Sequence, residues 1–445
     1  MMKRARTLIT LLCVALAGAP LFAQDALESE MEQIAEDARA QAAAAQSPGV
    51  ATTPAAEPKQ PTKVMPMSEK PKRFFEIGAD IDTGIANNAL VVNELFREEL
   101  ILDIPKIRKK VGANGMNMAL SPSSMNTFLN INIGDFFGVG VFSKVEGELT
   151  FTLGSALLDF LADGNINSHD LAGDAVSVAG GIFMEAGLNA FLHLDRWTFT
   201  ASPATFMPLI YIPKSTLAYY LNTSGETFNF RVNGEIKVYT PFPMDDGMDI
   251  ISSINGDMGF DLTVGAEYGL FDWLYVGGTA NHIPIIPSRL YNLMSIRGDD
   301  LGIEVKDPLS NPTIETTTEV KQEYSDNENK TVIRPLTFDV YAKWKLLDMS
   351  LLKFTLKPNL GITVITASDE PTFNWGIQAD LNLLSFLSFH LGTGLNQGVW
   401  KHRAGIGINL RILEILAEAS IQSTDFNSSF NTSGAGIGIG FRFGF

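Results

Sequence analysis

Ser433 to Phe445 reads S-G-A-G-I-G-I-G-F-R-F-G-F. Successive side chains of an extended strand point to opposite faces, so Ile437, Ile439, Phe441, Phe443 and Phe445 share one face while Gly436, Gly438, Gly440, Arg442 and Gly444 share the other. One face suits lipid and the other a lumen. A core strand of a soluble sheet alternates in the same way and is the competing reading. What sets this stretch apart is that large apolar residues recur at every second position up to the last residue, where chain ends ordinarily fray.

An aromatic end on an alternating strand, here Phe441, Phe443 and Phe445, looks like the signal by which the barrel-assembly machinery of an outer membrane recognises its substrates. The same two-faced pattern recurs along the chain. In Gly259 to Leu270, Phe260, Leu262, Val264, Ala266, Tyr268 and Leu270 oppose Asp261, Thr263, Gly265, Glu267 and Gly269. In Arg403 to Arg411, Ala404, Ile406, Ile408 and Leu410 oppose Arg403, Gly405, Gly407, Asn409 and Arg411.

Composition narrows the class. The chain has 445 residues, 39 of them Gly, with 45% hydrophobic and only 19% charged residues, which fits one large barrel better than a soluble multidomain protein. A formal net charge of −17, with no basic cluster beyond Lys106 to Lys110, argues against a nucleic-acid partner. The single cysteine, Cys13, falls in a segment expected to be removed, which excludes disulfides and thiolate chemistry in the mature chain. His169, His193, His282, His390 and His402 form no metal-binding pair by spacing, so no metal or other cofactor is expected.

Met1 to Ala23 has the basic start, the short apolar run Leu8 to Ala17 and the small-residue end of a secretory signal peptide. No later run is long and apolar enough for a membrane-spanning helix. Residues 24–72 are expected to be periplasmic. Leu27, Met31, Ile34 and Ala38 form a helical stripe within residues 25–45 that offers a surface to a periplasmic partner or is simply solvated, and Gln46 to Lys72 is a Pro/Ala-rich tether.

From Arg73 the chain reads as an all-β, antiparallel transmembrane barrel, residues 73–445, of about 14 strands with 16 as the alternative. Phe75, Ile77, Ala79 and Ile81 mark a first strand. The period then changes: Leu95, Phe96, Leu100, Ile104, Ile107 and Val111 recur at helical spacing, with Pro105 after Asp103 breaking the insert 93–111 into two short helices. Such an insert either plugs the lumen as a hatch, with Leu95, Phe96, Leu100 and Ile104 facing a ligand, or lies on the rim. Turns then sort by length. Short ones fall at Gly134-Asp135, Leu194-Asp195, Ser224-Gly225, Phe271-Asp272, Leu347-Asp348, Leu384-Ser385 and near Arg411 to Leu413, alternating with longer connections that include Pro203 to Lys214, Asn396 to Trp400 and the acidic, exposed Pro284 to Thr331. Short periplasmic turns on one rim and longer external loops on the other are expected of an outer-membrane barrel whose N-terminus is periplasmic. Trp197, Trp273, Tyr275 and Trp344 lie beside short turns, where an interfacial aromatic girdle would lie.

No nucleophile with a base, paired-carboxylate site or phosphate loop stands out; Asp261, Glu267, Glu414, Glu418, Arg403, Arg411 and Arg442 read as lumen charges that form structural ion pairs. The segment Asp257 to Leu290, D-M-G-F-D-L-T-V-G-A-E-Y-G-L-F-D-W-L-Y-V-G-G-T-A-N-H-I-P-I-I-P-S-R-L, resembles the strand-turn-strand and following Ile-Pro of the FadL-like family. That resemblance implies a fourteen-stranded barrel in the outer membrane of a diderm, Gram-negative-type bacterium, not an enzyme, that carries long-chain fatty acids or other hydrophobic small molecules past an N-terminal hatch. The family's Asn-Pro-Ala hatch motif is missing near Asn87-Asn88-Ala89. A general porin or a surface-exposed structural or adhesive barrel is the alternative function.

Overall fold

Strand pairing explains the alternation. The structure, a computed structural model, describes residues 73–91, 103–134, 136–163, 171–224, 227–243, 256–306, 313–317, 320–325, 328–364, 371–384, 386–431 and 433–445. The expected signal peptide, periplasmic helix and tether lie outside them. Along the described residues run β1 (Phe75–Asn87), β2 (Met116–Ile133), β3 (Phe137–Leu153), β4 (Leu171–Leu194), β5 (Trp197–Ser224), β6 (Thr227–Thr240), β7 (Gly256–Asp257), β8 (Gly259–Phe271), β9 (Leu274–Ile286), β10 (Ser288–Leu290) and β11 (Asn292–Lys306). They continue with β12 (Thr313–Thr317), β13 (Val320–Ser325), β14 (Lys330–Val332), β15 (Thr337–Asp348), β16 (Leu352–Thr363), β17 (Thr372–Leu383), β18 (Leu387–Asn396), β19 (Val399–Asn409), β20 (Leu413–Ser423) and β21 (Ala435–Gly444). The helices are α1 (Ile104–Val111), α2 (Ser155–Asp163) and α3 (Phe426–Ser429).

Fourteen of these strands close into an antiparallel barrel: β1 to β5 in order, then β8, β9 and β15 to β21, with β21 pairing back onto β1. The closing seam is fully zipped, with Glu76 opposite Gly444 through to Ile85 opposite Ala435. At its end the Phe75 and Phe445 backbones exchange two hydrogen bonds of 3.1 Å and their rings stack at 5.7 Å. No sheet edge is left at that seam.

The outward face carries the apolar set read from the sequence. Ile437, Ile439, Phe441 and Phe443 are exposed, as are Ile77, Val139, Leu188, Val340, Leu360, Phe373, Leu391 and Ile406 around the barrel. Their opposite face is lined by glycines and polar groups, and the two go together: the Asp80 carboxylate lies over Gly440, and the Gln422 amide lies over Gly84 and Gly436, where a Cβ would collide with it. Replacing Ile439 by Arg is expected to cost about 2–4 kcal/mol, the depth-dependent penalty for a cation on a lipid face, whereas Ile439→Val costs about 1 kcal/mol. Equilibrium unfolding in phospholipid vesicles measures both, and equal costs would refute the outward assignment.

Both ends of the barrel chain and the tight turns near Gly134, Asp195, Asp272, Met349, Leu384 and Leu410 share one rim; the longer connections share the other. Trp197, Trp273 and Trp344 are exposed on the short-turn rim, with Trp273 and Trp344 rings 6.4 Å apart, as a girdle requires. Tyr275 is not part of it. It is buried, and its hydroxyl donates to the Asp272 carbonyl at 2.9 Å.

Three turn readings are corrected. Pro203 to Lys214 is no loop: β5 is continuous for 28 residues, pairing with β8 through Phe206 and with β6 from Tyr211 onward. At about 3.3 Å per residue it runs far past a ~30 Å bilayer core, so the Ser224-Gly225 turn belongs to the long-connection side. Asn396 to Trp400 holds a two-residue hairpin turn, with Gln397 and Gly398 both at positive φ, so loop length does not alternate without exception. The continuity of β5 is what settles fourteen strands over sixteen.

The acidic insertion Pro284 to Thr331 is also folded. Its β11 pairs with β6 and, on the other side, with β12 and β13, extending the sheet beyond the barrel. Gly180, at φ 143, takes a backbone conformation closed to ordinary side chains, and the β4–β5 register shifts there, where β5 passes from one partner to the next.

Candidate functional site

Inward-pointing positions of β3 bring Phe142, Lys144 and Glu146 to the lumen, and the same parity brings Glu185 from β4, Asp261 from β8 and Thr263 beside it. Onto this wall folds the segment 333–336, between β14 and β15. Its Arg334 side chain is 1% exposed. The guanidinium grips Asp261 with two parallel bonds, Nε to Oδ2 at 2.7 Å and Nη2 to Oδ1 at 2.8 Å. Nη1 reaches Glu146 Oε1 at 3.2 Å and pairs with Glu185 Oε2, and the group lies 5.2 Å from the centre of the Phe206 ring. Three carboxylates and an aromatic face thus surround one fork-shaped cation, the geometry for which Arg is suited.

His282 braces the same spot. It sits at φ 58 in β9, its amide donates to Thr263 Oγ1 at 3.2 Å, and its Nδ1 lies 3.1 Å from the Pro335 carbonyl. A carbonyl only accepts, so Nδ1 carries the proton. Nε2 is then directed toward Glu146 Oε1, 3.5 Å away. Lys144 pairs with Glu146 and lies 3.7 Å from Glu185. Beside this knot lies a cavity of about 270 Å³ lined by Asn126, Phe142, Asn189, Ser202, Thr263 and Asn281 among others.

Above the knot the filling turns apolar. Phe183, Phe206, Tyr239, Leu290, Leu293 and Val332 form one buried cluster with Tyr211 against it, held by the small sheet β7-β10-β14. Part of the lumen is therefore occupied by chain. This is a transmembrane β-barrel of the outer-membrane type: its backbone is paired around a closed circle, its outside is apolar, and its inner wall carries the polar and charged groups, with the apolar cluster above the knot as the exception.

Of the other charges read as lumen-facing, Glu267, Glu418, Arg403 and Arg442 form ion pairs, whereas Arg411 lies exposed in the short turn after β19, which ends at Asn409. Glu267 meets Lys343 at 2.6 Å, Asp82 meets Lys401 at 2.7 Å, Arg403 meets Glu418 at 3.8 Å and Arg442 meets Asp80 at 3.8 Å. Asp380 Oδ1, His390 and Ser388 Oγ form a chain at 2.7 and 3.0 Å. Asp380 also holds Lys357 at 2.6 Å and Gln378 at 2.7 Å, so this chain braces β16, β17 and β18 to one another.

Of the expected hatch residues, Leu95, Phe96 and Leu100 lie outside the described residues. Ile104 is half-buried at the start of α1, whose Asp103 cap accepts from the Lys106 amide at 3.1 Å with Pro105 in the first turn. The described part of the insert packs on the long-connection rim, where Ile107 and Val111 join Ala89, Leu90, Met116 and Leu158 of α2. Phe441 and Phe443 lie on the outer face of β21 and Phe445 at its end, all exposed.

No protein-family model matches the chain, and no curated protein does. In strand arrangement the chain is similar to three solved structures. One is a Pseudomonas aeruginosa FadL homologue, at 11% identity and a TM-score of 0.41 over 84% of this chain and 90% of that one. Another is the CymD monoaromatic hydrocarbon channel, at 8% and 0.41 over 84% and 89%. The third is the Pseudomonas putida toluene transporter TodX, at 9% and 0.37 over 83% and 87%.

Proposed function

We propose that the barrel carries hydrophobic small molecules across the outer membrane, long-chain fatty acids among them, with its N-terminus in the periplasm. The observation that supports this over an open porin is the segment 333–336 turned into the lumen and tied there by Arg334, beneath the apolar cluster of Phe183, Phe206, Leu290 and Val332. A water-filled pore has no use for an internal apolar cluster; a route for greasy cargo does. The insert 93–111 serves in this reading as a hatch over the long-connection end, through Leu95, Phe96, Leu100 and Ile104.

The test is uptake of labelled oleate and of toluene by cells with and without the protein, beside single-channel conductance of the purified barrel in planar bilayers. Low conductance with uptake is expected. A wide-pore conductance without uptake of either probe would put the porin in its place. The Phe441, Phe443 and Phe445 face is proposed as the signal for the barrel-assembly machinery, because these side chains lie exposed on the outer face of the seam strand. Deleting Phe445 is expected to lower the heat-modifiable band in the outer-membrane fraction severalfold, and an unchanged band refutes the role. Residues 25–45 remain the proposed contact for a periplasmic partner.

A further inference from the structure

The Arg334 knot has the composition of a metal site with an internal cation already in it. Donor oxygens of Glu146 and Glu185 and a ring nitrogen of His282 lie within 4.8 Å of one another, close enough to share one ion. The Arg334 Nη1 atom occupies the space between the two glutamates, bonded to both. Imidazole and carboxylate together suit zinc and related divalent metals. The tautomer is right as well: with its Nδ1 proton given to the Pro335 carbonyl, His282 directs Nε2 at Glu146 and so at the shared point.

Charge favours the exchange. Glu146, Glu185 and Asp261 carry three negative charges against the two positive charges of Arg334 and Lys144, so with a neutral His282 the knot is one charge short. A divalent ion in place of the guanidinium closes that gap.

We propose that Glu146, Glu185 and His282 form a divalent transition-metal site that the chain fills with its own Arg334, and that a metal ion entering from the lumen displaces the guanidinium and so unties the segment 333–336 from the wall. This holds whatever the barrel carries. Arg334 is tethered beside the site and competes at high effective concentration, so the intact protein binds metal weakly and the site becomes strong when the side chain is removed.

Zinc titrations of chelator-stripped, detergent-purified barrel decide the matter. Arg334→Ala is expected to bind about one zinc per barrel, at least about 100-fold more tightly than the intact protein given the loss of the tethered competitor. The triple variant Arg334→Ala, Glu146→Gln, His282→Ala is expected to lose that gain. If Arg334→Ala binds zinc no more tightly than the intact chain, or the triple variant binds as tightly as Arg334→Ala, the site does not exist. Should Arg334→Ala fail to give a heat-modifiable barrel, the intact protein answers instead. Saturating zinc shifts its heat-modification temperature while Glu146→Gln in the same buffer shows no shift, and equal behaviour of the two overturns the proposal. None of these readouts measures transport, so they stand or fall apart from the hydrophobic-cargo reading.

Discussion

Replacing Arg334 by Met, in a buffer stripped of metal, is expected to destabilise the barrel by about 3–5 kcal/mol, because the partners left behind are buried carboxylates. Asp261, Glu185 and Arg334 are all nearly inaccessible, and Asp261 would lose both bonds of its fork. The attraction within such a knot barely exceeds what desolvating its members costs, so the penalty comes from breaking it one-sidedly. Removing the opposing charges together should therefore restore stability: Arg334→Met with Asp261→Asn and Glu185→Gln is expected to return to within about 1 kcal/mol of wild type. Unfolding in vesicles gives both numbers. Single-channel recording gives a second consequence, since an untied 333–336 segment raises conductance in Arg334→Met relative to the intact protein. A single variant as stable and as quiet as wild type would show that the guanidinium is not what holds the segment.

That knot was not legible in the sequence, and the reason is physical. Period-two alternation reports which face of a strand a residue occupies, so Asp261, Glu267, Arg403 and Arg442 were placed on the lumen side correctly. Arg334 is on no barrel strand. It follows the acidic insertion in the string Thr331-Val-Ile-Arg-Pro-Leu336, where a lone Arg before a Pro looks like the end of a solvated loop. Its three carboxylates lie 73, 149 and 188 residues away, a separation at which local pattern carries no information. The available hint was arithmetic: Glu146 and Glu185 face inward on adjacent strands and Asp261 faces inward two strands further on, and buried like charges need a cation from somewhere.

The strand count shows the opposite case. Pro203, Pro208 and Pro213 punctuate β5 and argue for a loop, because proline cannot donate to a ladder. Pro208 falls where β5 changes partners between Phe206 and Tyr211, Pro213 where its pairing with β6 is interrupted between Tyr211 and Leu217, and Pro203 where the β4 ladder skips from Ala201 to Ala204. The alternating strand from Ala435 to Gly444 carried the fold more faithfully, since its two faces meet solvents of opposite kind and neither residue set can be exchanged with the other.

Cutting Leu158 back to Ala is expected to loosen the long-connection rim and, if residues 93–111 close it, to open the barrel. Leu158 is wholly buried on α2 against Ile107 and Val111 of α1 and Met116 at the top of β2. Truncating such a residue costs about 2–5 kcal/mol. The loss should stay local to the rim, where Lys110 Nζ still bonds the Ala89 carbonyl at 2.9 Å and Ser433 Oγ at 3.3 Å and Arg108 still pairs with Asp159 of α2. Hydrogen exchange is expected to quicken in α1 while the β1–β21 seam keeps its protection. Conductance then orders the variants: intact protein lowest, Leu158→Ala with brief openings, and a chain lacking Asn93 to Val111 highest. If exchange in α1 quickens and the deletion still conducts no more than the intact barrel, the insert is a brace on the rim, and the segment tied by Arg334 is left as the closure of the lumen.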